Sequence, residues 1–188
     1  MVATYIVASS DLLKCVAPAL AIGLAALAFV IFLVVGILKE PTGDSKMVEI
    51  GAAIQQGAKA FLVREYTYCA VFVTVVAILL AVMNRGTALS FVVGAFLSGL
   101  CGCIGMSTAV RANIRTAAAA RAGLNPALRV AFRAGSVMGL VVVSLGILGL
   151  SVMLLLLQAA FGTTSEAVQS LAGFGFGASS IALFARVG

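Results

Sequence analysis

Of the 188 residues, 63% are hydrophobic and 10% are charged, with a net charge of +6. Soluble domains carry about 25% charged and about 45–50% apolar residues, and a fold of this size has too little interior to hide so much apolar surface, so a soluble globular domain is excluded and lipid is the expected solvent. With no histidine there is no imidazole ligand or base, and basic residues that sit at the ends of apolar runs, not on a soluble face, argue against nucleic acid as a partner.

A membrane span needs about 20 apolar residues to cross about 30 Å of hydrocarbon. Residues 1–13 hold no Lys or Arg, and the first apolar run is longer than the core of a secretory signal, so it reads as a retained span. That run, residues 15–38, lies uncharged between Lys14 and Lys39. Pro41-Thr42-Gly43-Asp44-Ser45 follows as a turn, with a helix start at Asp44 or Ser45. Beyond it Met47, Ile50, Ile54 and Phe61 recur at near-helical spacing, predicting an amphipathic extension of the second helix outside the bilayer.

Residues 66–84, between Glu65 and Arg85, form the second uncharged run, and residues 86–110, between Arg85 and Arg111, the third. Met83-Asn84-Arg85-Gly86 is a short turn between them. Arg111 and Arg115 share a helix face. Gly123-Leu124-Asn125-Pro126 breaks the chain, with Asn125 as the expected cap and Pro126 at the first helical position. Arg129 and Arg133 share a face of the next helix, so a hairpin with facing arginine pairs is expected.

The fourth run covers residues 134–165, and a second short turn is expected at Phe161-Gly162-Thr163-Thr164. The fifth run, residues 167–185, is rich in Gly and Ser. The fold class is therefore all-α, a polytopic bundle of five spans at about 15–38, 61–84, 87–112, 127–157 and 167–187. Five spans divide Lys and Arg ten to two. Positive charge is held on the cytoplasmic side, which places the N-terminus outside and the end of the chain inside.

Gly94, Ser98 and Gly102 recur every four residues on the third span, Gly135 and Gly139 on the fourth, and Gly173 and Gly177 on the fifth; small residues so spaced let helix backbones approach closely. Cys101 and Cys103 point about 200° apart on a helix and cannot share a metal face. Chemistry is sparse. No carboxylate lies in the middle of a run, as a proton-carrying rotor would need. Gly173-Phe174-Gly175-Phe176-Gly177 lacks the strand and the acidic partner of a dinucleotide site. The remaining candidates are Ser179 and Arg186, two helical turns apart on nearly one face, either lining an ion route or serving as a self-bonded serine and an interfacial arginine. A pump, a small transporter or channel subunit, and a membrane scaffold all stay open on these residues.

The stretch GFGFGASSIALFARVG at the end of the chain resembles the fifth-helix signature of membrane-bound, ion-translocating inorganic pyrophosphatases. So do AFLVREY (60–66), GMSTAVRANIRTAAAAR (105–121) and VAFRAGSVMGL (130–140). The resemblance implies an integral membrane enzyme that hydrolyses pyrophosphate with Mg²⁺, with K⁺ as an optional second cation, moves H⁺ or Na⁺ outward, and works as a homodimer in the cell (inner) membrane. It implies that Arg186 lies between the hydrolytic centre and the ion gate and Ser179 at gate level. The family's catalytic and metal-binding groups follow that arginine, so no catalytic residue and no metal ligand is expected here, and Gly188 is read as the end of an N-terminal fragment that would not hydrolyse pyrophosphate alone.

Overall fold

A computed structural model describes residues 9–161 and 164–187 of the chain. Gly162 and Thr163 of the second expected turn, Gly188, and residues 1–8 lie outside the described residues. Five helices follow one another: α1 (Ser9–Leu38), α2 (Ser45–Met83), α3 (Arg85–Ala120), α4 (Leu124–Phe161) and α5 (Thr164–Val187). There is no strand among the described residues. Each helix is long and apolar enough to cross a membrane.

Three of the helices outrun a bilayer. At 39, 36 and 38 residues, α2, α3 and α4 are about 54–58 Å long at 1.5 Å per residue. Hydrocarbon accounts for about 30 Å of that. The overshoot follows from local chemistry: Arg111 and Arg115 end the apolar run of α3, but Thr116-Ala117-Ala118-Ala119-Ala120 continues it with strong helix formers.

The breaks between helices are set by single residues. Asn84 alone separates α2 from α3, and its Oδ1 accepts from the backbone N–H of Gly86 at 2.8 Å and of Thr87 at 3.1 Å, capping α3. Asp44 stands at the N-cap of α2 with extended backbone but makes no side-chain cap bond, because its carboxylate is engaged elsewhere. The expected cap at Asn125 is displaced. Gly123 takes φ +127°, which only glycine adopts cheaply, and α4 starts directly after it at Leu124. Asn125 and Pro126 thus lie in the first turn, where a missing N–H costs nothing.

The bundle is built on α3, which packs against α2, α4 and α5, while α1 lies mainly on α4. The tightest approach is α3 to α5. A methyl on Gly94 would run into the carbonyl oxygen of Phe174, one on Gly173 into that of Thr87, and one on Gly177 into that of Phe91. Ser98 Oγ donates to the carbonyl of Ala178 at 3.0 Å on the same seam. Gly135 and Gly139, in contrast, face open space within the described residues, so the fourth span's small residues are not the ones that pack here. Gly149 does that work on α4, against Leu97 and Phe174.

The extension of α2 also differs from its expected face. Ile50 and Ile54 are exposed. Met47, Gly51, Ala58, Leu62, Tyr66 and Cys69 form the more buried stripe, because Gly51 gives way to the side chain of Ile114 on α3 and that contact sets the rotation of the helix.

Candidate functional site

At the end holding the α1–α2 and α3–α4 links, three arginines fasten the links together. Arg121, the C-cap of α3, forms a two-pronged ion pair with Asp44, Nη1 to Oδ1 and Nη2 to Oδ2, the latter at 2.7 Å. The hydrogen bond from Arg121 holds the Asp44 carboxyl below its ordinary value, and the same bond pushes the guanidinium up. Arg133 on α4 reaches Glu40 at 3.4 Å. Arg115 donates to the carbonyl of Arg111 at 2.6 Å and lies 3.5 Å from that of Leu38 at the end of α1. Arg115 of α3 and Arg133 of α4 both turn to the chain at and just after the end of α1. This draws both charged links to one end of the bundle.

Deeper in, a groove of about 570 Å³ opens between α2, α3, α4 and α5. Its wall is mostly apolar. Glu65 and Arg186 are its only charged lining residues, with Tyr66 and Ser98 as polar neighbours. The Tyr66 hydroxyl donates to the carbonyl of Gly99 at 2.6 Å, which fixes the rotation of α2 against α3. Arg186 stands on α5. It lines the groove together with Glu65, Tyr66, Gly99 and Gly102, partway along α2 and α3. A second groove of about 550 Å³ adjoins the first at Tyr66 and carries Lys59 and Arg111.

Of the two residues singled out from sequence, only Arg186 lines the groove. Ser179 is exposed on the outer side of α5. Ser180 is buried and donates to its own i−4 carbonyl, Phe176 O, at 2.8 Å, a self-contained bond common for serine in a helix. Glu65 and Tyr66 were missed as site residues. They bound the second uncharged run, and only the great length of α2 shows that they sit near its middle. Among the described residues no group of three or more His, Cys, Asp or Glu side chains is close enough to hold a metal ion. The four cysteines are unpaired thiols.

A bundle of five long apolar helices around a mostly apolar groove with one acid and one base defines a polytopic integral membrane protein. The profile of the family described as Inorganic H⁺ pyrophosphatase matches residues 24–188, and the chain belongs to that family. It is 47% identical over 167 residues to a K⁺-insensitive pyrophosphate-energized proton pump 2 of Moorella thermoacetica, covering 88% of this chain and 24% of that protein. It is 46% identical over 167 residues to a putative K⁺-stimulated pyrophosphate-energized sodium pump of Clostridium tetani, with the same coverage. A proton pump of Methanosarcina mazei shares 44% over 169 residues, again 88% of this chain and 24% of the relative. The chain thus spans about a quarter of the length of the relatives it matches.

Proposed function

We propose that this chain supplies five of the membrane helices of a pyrophosphate-energised pump, which hydrolyses pyrophosphate and drives H⁺ or Na⁺ outward across the cell (inner) membrane. Membership of the family carries the proposal, together with relatives whose names state pyrophosphate-energised pumping. Proton and sodium pumps match at 47% and 46%, so the proposal names either ion and leaves K⁺ dependence to the same choice. The hydrolytic groups, and the Mg²⁺ that would neutralise phosphate charge, belong to the parts of such a pump outside these five helices, as does the contact with a second copy in a homodimer.

Within the chain, Arg186 is proposed to carry coupling between hydrolysis and ion movement, and Ser179 to stand at the ion path. Arg186 lines the mostly apolar groove between α2, α3, α4 and α5, where it and Glu65 are the only charged lining residues. Ser179 is exposed on α5, a face open to a further helix. The orientation, N-terminus outside, is supported by the clustering of Arg115, Arg121 and Arg133 about the α1–α2 link, since positive charge marks the inner side.

Inside-out vesicles carrying the full-length parent protein test the function. Pyrophosphate with Mg²⁺ should be split and should load the vesicles with H⁺ or radioactive Na⁺, and the gradient should collapse with an ionophore. Hydrolysis without either gradient, or no hydrolysis, would overturn it.

A further inference from the structure

We infer that Glu65 is the groove's own counter-charge for Arg186: a positioning residue that pairs with the guanidinium in one state of the protein and so ties α2 to α5 by charge. They are the only charged residues among those lining the groove. The structure records no ion pair between them within 4.0 Å. Along this mostly apolar groove Glu65 is part-buried and Arg186 is exposed, so each is the opposite charge within the other's groove. Arginine has no accessible neutral form, so its counter-charge must come from an acid.

The surroundings leave Glu65 for this role. Its sequence neighbour Arg64 is exposed, with its guanidinium carbon 5.7 Å from the centre of the Tyr68 ring. Glu65 is held on the groove side by the Tyr66 bond to Gly99. Beside the groove, α2 and α5 already touch through the edge-on rings of Phe72 and Phe184, 5.1 Å apart, and through the cluster of Cys69, Ala95 and Ile181. Pairing would come from a swing of the Arg186 side chain toward α2, and a swing toward partners elsewhere in the full-length protein would release α2. The competing cations are Lys59 and Arg111, which line the adjoining groove.

The pairing rests on this geometry alone; its role in coupling rests also on the pump proposal. Both are tested in the full-length protein with Glu65→Gln, Arg186→Gln and the double variant, and with Lys59→Gln and Arg111→Gln each alone and combined with Glu65→Gln. Melting in detergent should show non-additive losses for Glu65 and Arg186 and additive ones for Glu65 with Lys59 or Arg111. The number of ions moved per pyrophosphate split should fall about fivefold or more in Glu65→Gln, the scale of a typical coupling energy, and recover in Glu65→Asp; a merely structural loss would lower both rates and leave the ratio alone. Additive losses for Glu65 and Arg186, or non-additive ones for Glu65 with Lys59 or Arg111, overturn the pairing, and an unchanged ratio overturns the positioning role. Wild-type protein that neither splits pyrophosphate nor pumps would sink the pump proposal while leaving the melting cycle to decide the pairing. Should Glu65→Gln fail to reach the membrane, the same cycle run with Glu65→Ala and Arg186→Ala decides it by the same criterion.

Discussion

The hydroxyl of Tyr66 on α2 and the carbonyl of Gly99 on α3 stand 2.6 Å apart, and Gly102, one turn further along α3, leaves the space in which the phenol lies. The bond crosses between helices at a point where both are surrounded by apolar side chains. Polar bonds between helices in lipid average about 0.6 kcal/mol with a ceiling near 1.7. Tyr66→Phe should therefore lower stability by about 1 kcal/mol and loosen the rotation of α2. Thermal melting in detergent measures the first. The second should appear as faster reaction of Cys69 with a small thiol reagent, since Cys69 is buried one turn from Tyr66 on the same stripe.

The α3–α5 seam allows a sharper contrast. Gly94→Ala, Gly173→Ala or Gly177→Ala would each drive a methyl into a backbone carbonyl, and backbone gives way only by separating the helices. Each should destabilise by about 2–3 kcal/mol, the upper range for overpacking. Gly36→Ala on α1 meets nothing within 4 Å and should be neutral or stabilising by up to about 1 kcal/mol, the helix preference for alanine. Equal losses at Gly94 and Gly36 in a melting series would contradict the seam.

These glycines also show what the sequence discloses. Periodic small residues on α3 and α5 were legible, because spacing on one helix reports a flat face. Gly135 and Gly139 have the same spacing on α4 but face open space, since spacing cannot report which neighbour arrives. The spans were legible for a related reason: charges bracket each of them, and lipid makes a charge expensive wherever it falls. The extensions of α2, α3 and α4 beyond the bilayer were less so, because hydropathy ends where helix propensity continues. Glu65 was hidden by the same rule that found the spans. In the sequence a charge marks the edge of a run, whereas the groove lets it lie well inside a helix.

The Asp44–Arg121 pair predicts a pH dependence. The carboxyl of Asp44 is held below 3.8 in the folded chain by its hydrogen bond to Arg121. A group whose folded value is depressed adds stability above its unfolded value and loses it as pH falls through the folded one. The difference in melting temperature between wild type and Asp44→Asn should thus be constant at neutral pH and shrink below about pH 3.8. Both side chains are half-exposed or more, so the difference should be small and should narrow further in high salt. A gap that widens on acidification would contradict the assignment.

Topology gives a prediction independent of catalysis. In a cysteine-free background of the full-length protein, Ala122→Cys in the α3–α4 link and Met83→Cys at the opposite end of α2 are both exposed positions. Intact cells treated with a membrane-impermeant maleimide should label Met83→Cys and spare Ala122→Cys, and inside-out vesicles should reverse the pattern. Labelling of Ala122→Cys in intact cells would invert the orientation.

The two serines of α5 provide the last contrast. Ser180 is buried and returns its hydrogen bond to Phe176, so its hydroxyl is spent within its own helix. Ser180→Ala removes a bond whose acceptor is already satisfied by the helix, and should change stability and transport little. Ser179 is exposed in these five helices, and a hydroxyl on an open face at membrane depth is worth keeping only if another polar group or an ion meets it. Ser179→Ala should leave the melting of the protein unchanged while lowering pyrophosphate-driven ion uptake in vesicles more than it lowers hydrolysis. If Ser180→Ala is instead the variant that uncouples the two rates, the ion path runs on the buried side of α5, along the α3 seam, and Ser179 has no part in it.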